Sequence, residues 1–144
     1  MTKKIFGALV LSFLLLFIYN CKSSSGDGSG NGVNGDDVIA NPSFAQHIQP
    51  VFTNNCATSG CHNSAAGGGL VLSTGQAYGN LVNVPSTGEP NMTLVIPSDA
   101  DNSYLVIKLE GRQNVGARMP LTGSISNNQI QNIKNWINNG AQNN

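Results

Sequence analysis

Cys56-Ala57-Thr58-Ser59-Gly60-Cys61-His62 is the stretch on which the fold of this chain turns. It places two thiols and an imidazole together in a chain of 144 residues that has only 3 Cys and 2 His. Helical patterns flank it on both sides. Upstream, Asn41-Pro42-Ser43 offers caps, with Pro42 suited to a first turn, and Phe44, Ile48, Val51 and Phe52 recur at helical spacing. Pro50 interrupts that pattern and predicts a kink or split near Gln49. Downstream, residues 74–82 suit one or two turns. Asp99 or Asp101 is expected to cap a helix over 102–110, which Gly111 ends. The last helix has the clearest signals. Ser126 and Gln129 form a capping box, Ile125 and Ile130 stand at the staple positions, and Ile130, Ile133, Trp136 and Ile137 make one apolar stripe before Gly140. Period-two alternation is weak, with 93–96 the one short extended piece expected. The pattern predicts an all-α domain of three to five helices with long loops.

The compartment follows from the first residues. Met1-Thr2-Lys3-Lys4 is basic, and Ile5 to Tyr19 is an apolar or small run. A bilayer span takes about 20 apolar residues, so this run fits an export signal better. It ends at Asn20-Cys21 before a Ser/Gly tract, which resembles a bacterial lipoprotein signal with Cys21 as the lipidated residue. An uncleaved signal anchor is the other reading. The expected organisation is a signal over 1–20, lipidated Cys21 with a flexible linker over 21–41, and one domain over 42–144. A linker of that composition has an end-to-end distance of roughly 25 Å. The formal net charge is zero, from 7 basic and 7 acidic residues. Without Lys3 and Lys4 the balance is about −2, which excludes nucleic-acid binding through a basic surface.

Three uses compete for Cys56 and Cys61 in an oxidising compartment. A disulfide between them closes a very short loop and leaves His62 without a role. A structural zinc needs four ligands, and beyond Cys56, Cys61 and His62 only His47 could serve. The third use is covalent attachment of haem, whose c-type sites have two Cys followed at once by His. The usual spacing between the thiols is two residues; here it is four. A second axial ligand is then sought. Met119, in Gly116-Ala117-Arg118-Met119-Pro120, is the candidate, and a thioether there raises the potential of a His/Met haem. Met92 reads as filler in a polar loop, and His47 as a helix residue that could instead give a bis-His haem. Arg118 either meets a haem propionate or faces water. Tyr78, Tyr104, Leu70 and Leu72 read as pocket or core residues.

With these residues the chain resembles monohaem, class I-like c-type cytochrome domains, of the kind found in exported bacterial lipoproteins. The resemblance runs from about Ser43 to Ala141. It rests on Phe52 before the first Cys, Cys56…Cys61-His62, Arg118-Met119-Pro120 and the final helix with Trp136-Ile137 and Gly140-Ala141. It implies a small cytochrome c-like fold around one covalent haem c, held by Cys56 and Cys61 and ligated by His62 and Met119. It also implies first and last helices that cross through an aromatic pair, Phe52 or Phe44 with Trp136. Two departures are the Cys spacing and Ile48, which stands where a small Gly is often found at the crossing. The implied role is one-electron transfer to a transient protein partner by a carrier rather than an enzyme, in the bacterial cell envelope and held to a membrane by the lipid on Cys21. The alternatives are a haem-based sensor or peroxidase-like enzyme, and a haem-free lipoprotein stapled by a Cys56–Cys61 disulfide. No Ser/His/Asp order, phosphate loop or dinucleotide fingerprint is present.

Overall fold

The structure is a computed structural model and describes residues 37–63 and 68–144. The export signal, Cys21 and most of the linker lie outside the described residues. All regular structure among the described residues is helical, with no strand. In chain order there is a π-helical turn, Phe44–Ile48, then α1 (Gln49–Asn55), α2 (Ala77–Leu81), α3 (Tyr104–Glu110) and α4 (Asn127–Asn138).

The first helical region is divided where Pro50 predicts it. Pro50 has no N–H for the ladder, and the turn ahead of it is widened. The Ile48 N–H donates to Ser43 O at 3.3 Å, and the Gln49 N–H donates to Phe44 O. These five-residue steps leave Pro50 in the first turn of α1, where a missing donor costs nothing. The Ser43 hydroxyl caps the turn, accepting from Gln46 N–H at 3.4 Å and donating to Asn144 O at 2.7 Å.

α4 forms as its sequence predicts. Ser126 and Gln129 make both bonds of the capping box, a cap of the kind worth about 1 kcal/mol. Ile125 and Ile130 are buried beside it. The apolar stripe of α4 packs on the π turn, where Phe44 and Trp136 ring centroids are 5.1 Å apart. Tyr78 closes the cluster, 5.3 Å from Phe44 and 6.4 Å from Trp136. Of the two expected partners for Trp136, Phe44 is therefore the one in contact. Ile48 is fully buried.

α3 differs from expectation at its start. Neither Asp99 nor Asp101 caps it; the N-cap is Ser103, whose side chain makes no cap bond. Its hydroxyl instead donates to Asp99 O at 2.7 Å and accepts from Ile96 N–H at 2.9 Å. The Asp99 carboxylate accepts from Asn102. Ser103 thus ties the preceding turn to the segment over 93–96, which is extended and makes isolated bridges with residues 82, 85 and 99. Gly111 ends α3 in the left-handed conformation, φ 78°.

The Asn face of α4 holds the end of the segment read as linker. Asn132, Asn135 and Asn139 lie on one side of the helix at spacings of three and four. Asn132 accepts from Ile39 N–H at 2.7 Å and donates to Asp37 O at 2.8 Å. Asn135 donates to Ile39 O at 2.7 Å, and Asn139 to Ala40 O at 2.9 Å. Residues 37–41 are thereby bonded to the domain.

One ion network joins α3 to α4. Lys134 Nζ is 2.9 Å from Asp101 Oδ1 and 3.1 Å from Glu110 Oε1, and Arg112 Nε is 2.6 Å from Glu110 Oε2. The Lys134 hydrogen bond holds the Asp101 carboxyl below its ordinary range. Partial burial pushes Glu110 up, but the bonds from Arg112 and Lys134 outweigh it and leave a net lowering. Lys134 is raised by its bonds to Asp101 and Glu110. Lowered carboxyls stabilise the fold above the ordinary carboxylate range, and that stability is lost as pH falls through their folded values. Lys134→Met is expected to flatten the acid limb of a Tm-against-pH profile and to change Tm little near neutral pH, since exposed pairs contribute little. An acid limb of unchanged slope would show that the network carries none of it.

Candidate functional site

The Cys56–His62 string folds as a closed loop at the end of α1. Cys56 is the C-cap, and both its N–H and that of Ala57 donate to Phe52 O, at 2.9 and 2.7 Å. Cys61 N–H donates to Thr58 O at 3.0 Å, and His62 N–H returns to Cys56 O at 2.9 Å. The reversal uses Gly60 at φ 79°, a left-handed conformation that costs Gly little. The four residues between the thiols are thus taken up in a turn that brings His62 back to Cys56.

His62 is then oriented by the chain that follows. Its Nδ1 is 3.1 Å from Leu70 O, while Leu72 N–H donates to His62 O at 2.7 Å. A carbonyl only accepts, so the proton of the neutral ring sits on Nδ1 and the Nε2 lone pair is left for a ligand or metal. A backbone carbonyl on the far nitrogen is the usual support of a metal-bound imidazole.

Cys56, His62 and Met119 line one cavity of about 380 Å³. That lies within the range of cofactor and ligand sites. Its walls are mostly apolar, with Leu70, Leu72, Leu94, Leu105 and Leu109 among them. Five glycines also border it. A Cβ at Gly68, Gly69, Gly79 or Gly88 would meet nothing within 4 Å, and one at Gly116 only Lys108 Nζ at 3.4 Å. Backbone can therefore approach a flat ligand closely on several sides. The potential donors on its wall are one thiol, one imidazole and one thioether, and among the described residues no group of three His, Cys, Asp or Glu is placed to hold a metal ion.

The remaining candidates sit elsewhere. Cys61 is half-buried in the loop and outside the cavity lining. Both thiols are free in the structure. Burial pushes the Cys56 thiol up to about 11, with a smaller contribution from Cys61, so Cys56 stays protonated at neutral pH. His47 does not reach the cavity; its Nδ1 accepts from Ser43 N–H at 2.8 Å, which gives it a capping role. Arg118 is also absent from the lining and is not simply solvated. Its Nε donates to Leu109 O at 2.7 Å. Met92 lies outside the lining, in a turn closed by Met92 N–H to Glu89 O at 2.9 Å. Tyr104 lines the cavity, whereas the Tyr78 hydroxyl donates to Ala141 O at 2.9 Å.

Lys108 is the cavity residue that sequence reading passes over. Among the described residues it is the only Lys or Arg in the lining, 5.9 Å from the Tyr104 ring centroid, and it donates to Ala117 O. Its position in the last turn of α3 was visible in the sequence; the fold-back of residues 111–119 onto that turn was not. Comparison of the chain with protein-family models, with curated proteins and with solved structures returned no match.

Proposed function

We propose that this chain is an exported c-type cytochrome that transfers single electrons through one covalent haem. The observation that carries the reading is the meeting of Cys56, His62 and Met119 on one apolar cavity, although Met119 lies 57 residues beyond His62 in sequence. The tie from His62 Nδ1 to Leu70 O adds to it, because it leaves the lone pair of Nε2 available to ligate. The packing of Phe44 in the first helical region on Trp136 of α4, and the order His62, two short helices, Met119 and a last helix, also support the reading.

In this reading Cys56, on the cavity wall, and Cys61, in the same loop, would hold a haem by thioether bonds, and His62 Nε2 and the Met119 sulfur would be its protein ligands. The haem supplies the Fe(III)/Fe(II) couple. His62 and Met119 would supply its nitrogen and sulfur ligands, the leucines of the wall would exclude water, and a neutral, soft thioether would bias the couple toward the reduced form. Cys21 carries the lipid that holds the domain at a membrane of the cell envelope, and a transient redox protein exchanges electrons at the cavity mouth.

Anaerobic spectroelectrochemical titration tests the electron-carrier role. The expected result is one reversible n = 1 transition, with a ferrous form that takes up carbon monoxide only slowly. Rapid carbon monoxide uptake with turnover of peroxide would assign the chain to the sensor or peroxidase class instead.

A further inference from the structure

We propose that Lys108 and Arg118 are positioning residues that clasp the Met119 segment to the end of α3 and set how firmly the Met119 thioether stays at the iron. The inference rests on the haem reading above and concerns what holds its distal ligand in place.

Residues 111–126 between α3 and α4 contain no regular structure. A connection of that length is free to move unless it is tied down, and such loops in small domains are usually functional. The last carbonyls of α3 have no partner within the helix and must find one elsewhere. Here the Met119 segment supplies two of the partners. Lys108 O accepts the Met119 N–H at 3.0 Å, and Leu109 O accepts Arg118 Nε–H at 2.7 Å. Lys108 adds a third tie in the opposite direction, from its Nζ to Ala117 O. The segment carrying Met119 therefore adds to the Gly111 cap by bonding the last carbonyls of α3, and Lys108 grips it by both backbone and side chain.

The surroundings are shaped to this clasp. A Cβ at Gly111 would come within 3.2 Å of Arg118 Cδ, so a residue that must be left-handed also leaves room for the Arg118 stem. At Gly116 a Cβ would stand 3.4 Å from Lys108 Nζ. Lys108 reaches from α3 to the segment and Arg118 from the segment back to α3, and of the two only Lys108 is on the cavity wall.

With the clasp closed, Met119 is held on the cavity. With it open, the distal position is available to another ligand. The apparent affinity of an outside ligand then scales with the fraction of open molecules. Removing a charged donor to a backbone carbonyl weakens the closed state enough to raise that fraction on the order of tenfold.

The test is imidazole titration of the ferric holoprotein, comparing wild type with Lys108→Met, Arg118→Met and the double variant. Each keeps a long stem and loses only the donor. All are expected to retain covalent haem. Imidazole is expected to bind about tenfold more tightly in each single variant and more tightly still in the double one, with Lys108→Arg restoring the wild-type affinity. Tm is followed in parallel, because a residue of structural importance alone would lower Tm without changing imidazole affinity. An affinity within twofold of wild type in the double variant overturns the clasp while leaving the haem reading intact. A wild-type holoprotein without methionine ligation overturns the clasp together with the Met119 assignment, and its spectrum shows this before any variant is made; failure of the haem reading itself is seen separately, as a wild-type chain without covalent haem.

Discussion

Met119→Ala is expected to abolish the methionine-to-iron charge-transfer band of the oxidised protein and to lower its midpoint potential, with covalent haem retained. Met119 is half-buried against the core and lines the cavity. It reaches that position because its own N–H is bonded to Lys108 O. Alanine keeps that backbone bond and removes only the thioether. The distal site is then left to water or an added ligand. Loss of a soft, neutral donor that favours ferrous iron moves the potential down. The Cys56, Cys61 and His62 loop is untouched, so haem attachment persists. Haem held without the band defines the effect as one of ligation. An unchanged band would show that Met119 is not the distal ligand.

Trp136→Ala is expected to destabilise the domain by about 3–5 kcal/mol. Trp136 is 1% exposed and packs against both Phe44 and Tyr78 in the ring cluster. Its Nε1–H donates to Gln142 O at 2.8 Å, which ties the chain after α4 to the helix. That chain also carries Ala141 O, the acceptor for Tyr78, and Asn144, whose backbone oxygen accepts from Ala45 N–H at 2.8 Å and from the Ser43 hydroxyl. Truncating Trp136 therefore opens a core cavity and loosens the tie between the C-terminal residues and the first helical turn. Trp136→Phe keeps most of the ring volume and loses the N–H, so its cost should be smaller. Urea unfolding followed by circular dichroism measures both. A cost below about 1 kcal/mol for Trp136→Ala would mean that the crossing does not depend on this ring, since truncations of well-packed rings cost several times more.

The elements read correctly from sequence were those specified by local chemistry. The capping box of α4 needs only Ser126 and Gln129, and the break ahead of α1 needs only Pro50. What escaped depends on distant backbone. The Asn face of α4 reads as solvated polarity, because its partners are the main-chain groups of residues 37–40, which carry no side-chain signature. The cap of α3 was misplaced because the Ser103 hydroxyl is spent on Asp99 O and Ile96 N–H rather than on its own helix. In the site, Cys56, His62 and Met119 were legible as residue types in order. Their convergence was not, since it depends on the Gly60 reversal and on the fold-back of residues 111–119. The orientation of His62 by Leu70 O was equally invisible, because any residue at position 70 presents a carbonyl.

Covalent haem on Cys56 and Cys61 is what separates a cytochrome from a haem-free lipoprotein. The measurement is haem staining of the denatured protein on a gel, after export from a host that has haem-attachment machinery, beside the Cys56→Ser, Cys61→Ser double variant. Haem that survives denaturation is expected in the wild-type chain and none in the double variant. A wild-type chain that is exported and folded but carries no haem would contradict it, and would leave the two thiols to the disulfide of a haem-free lipoprotein.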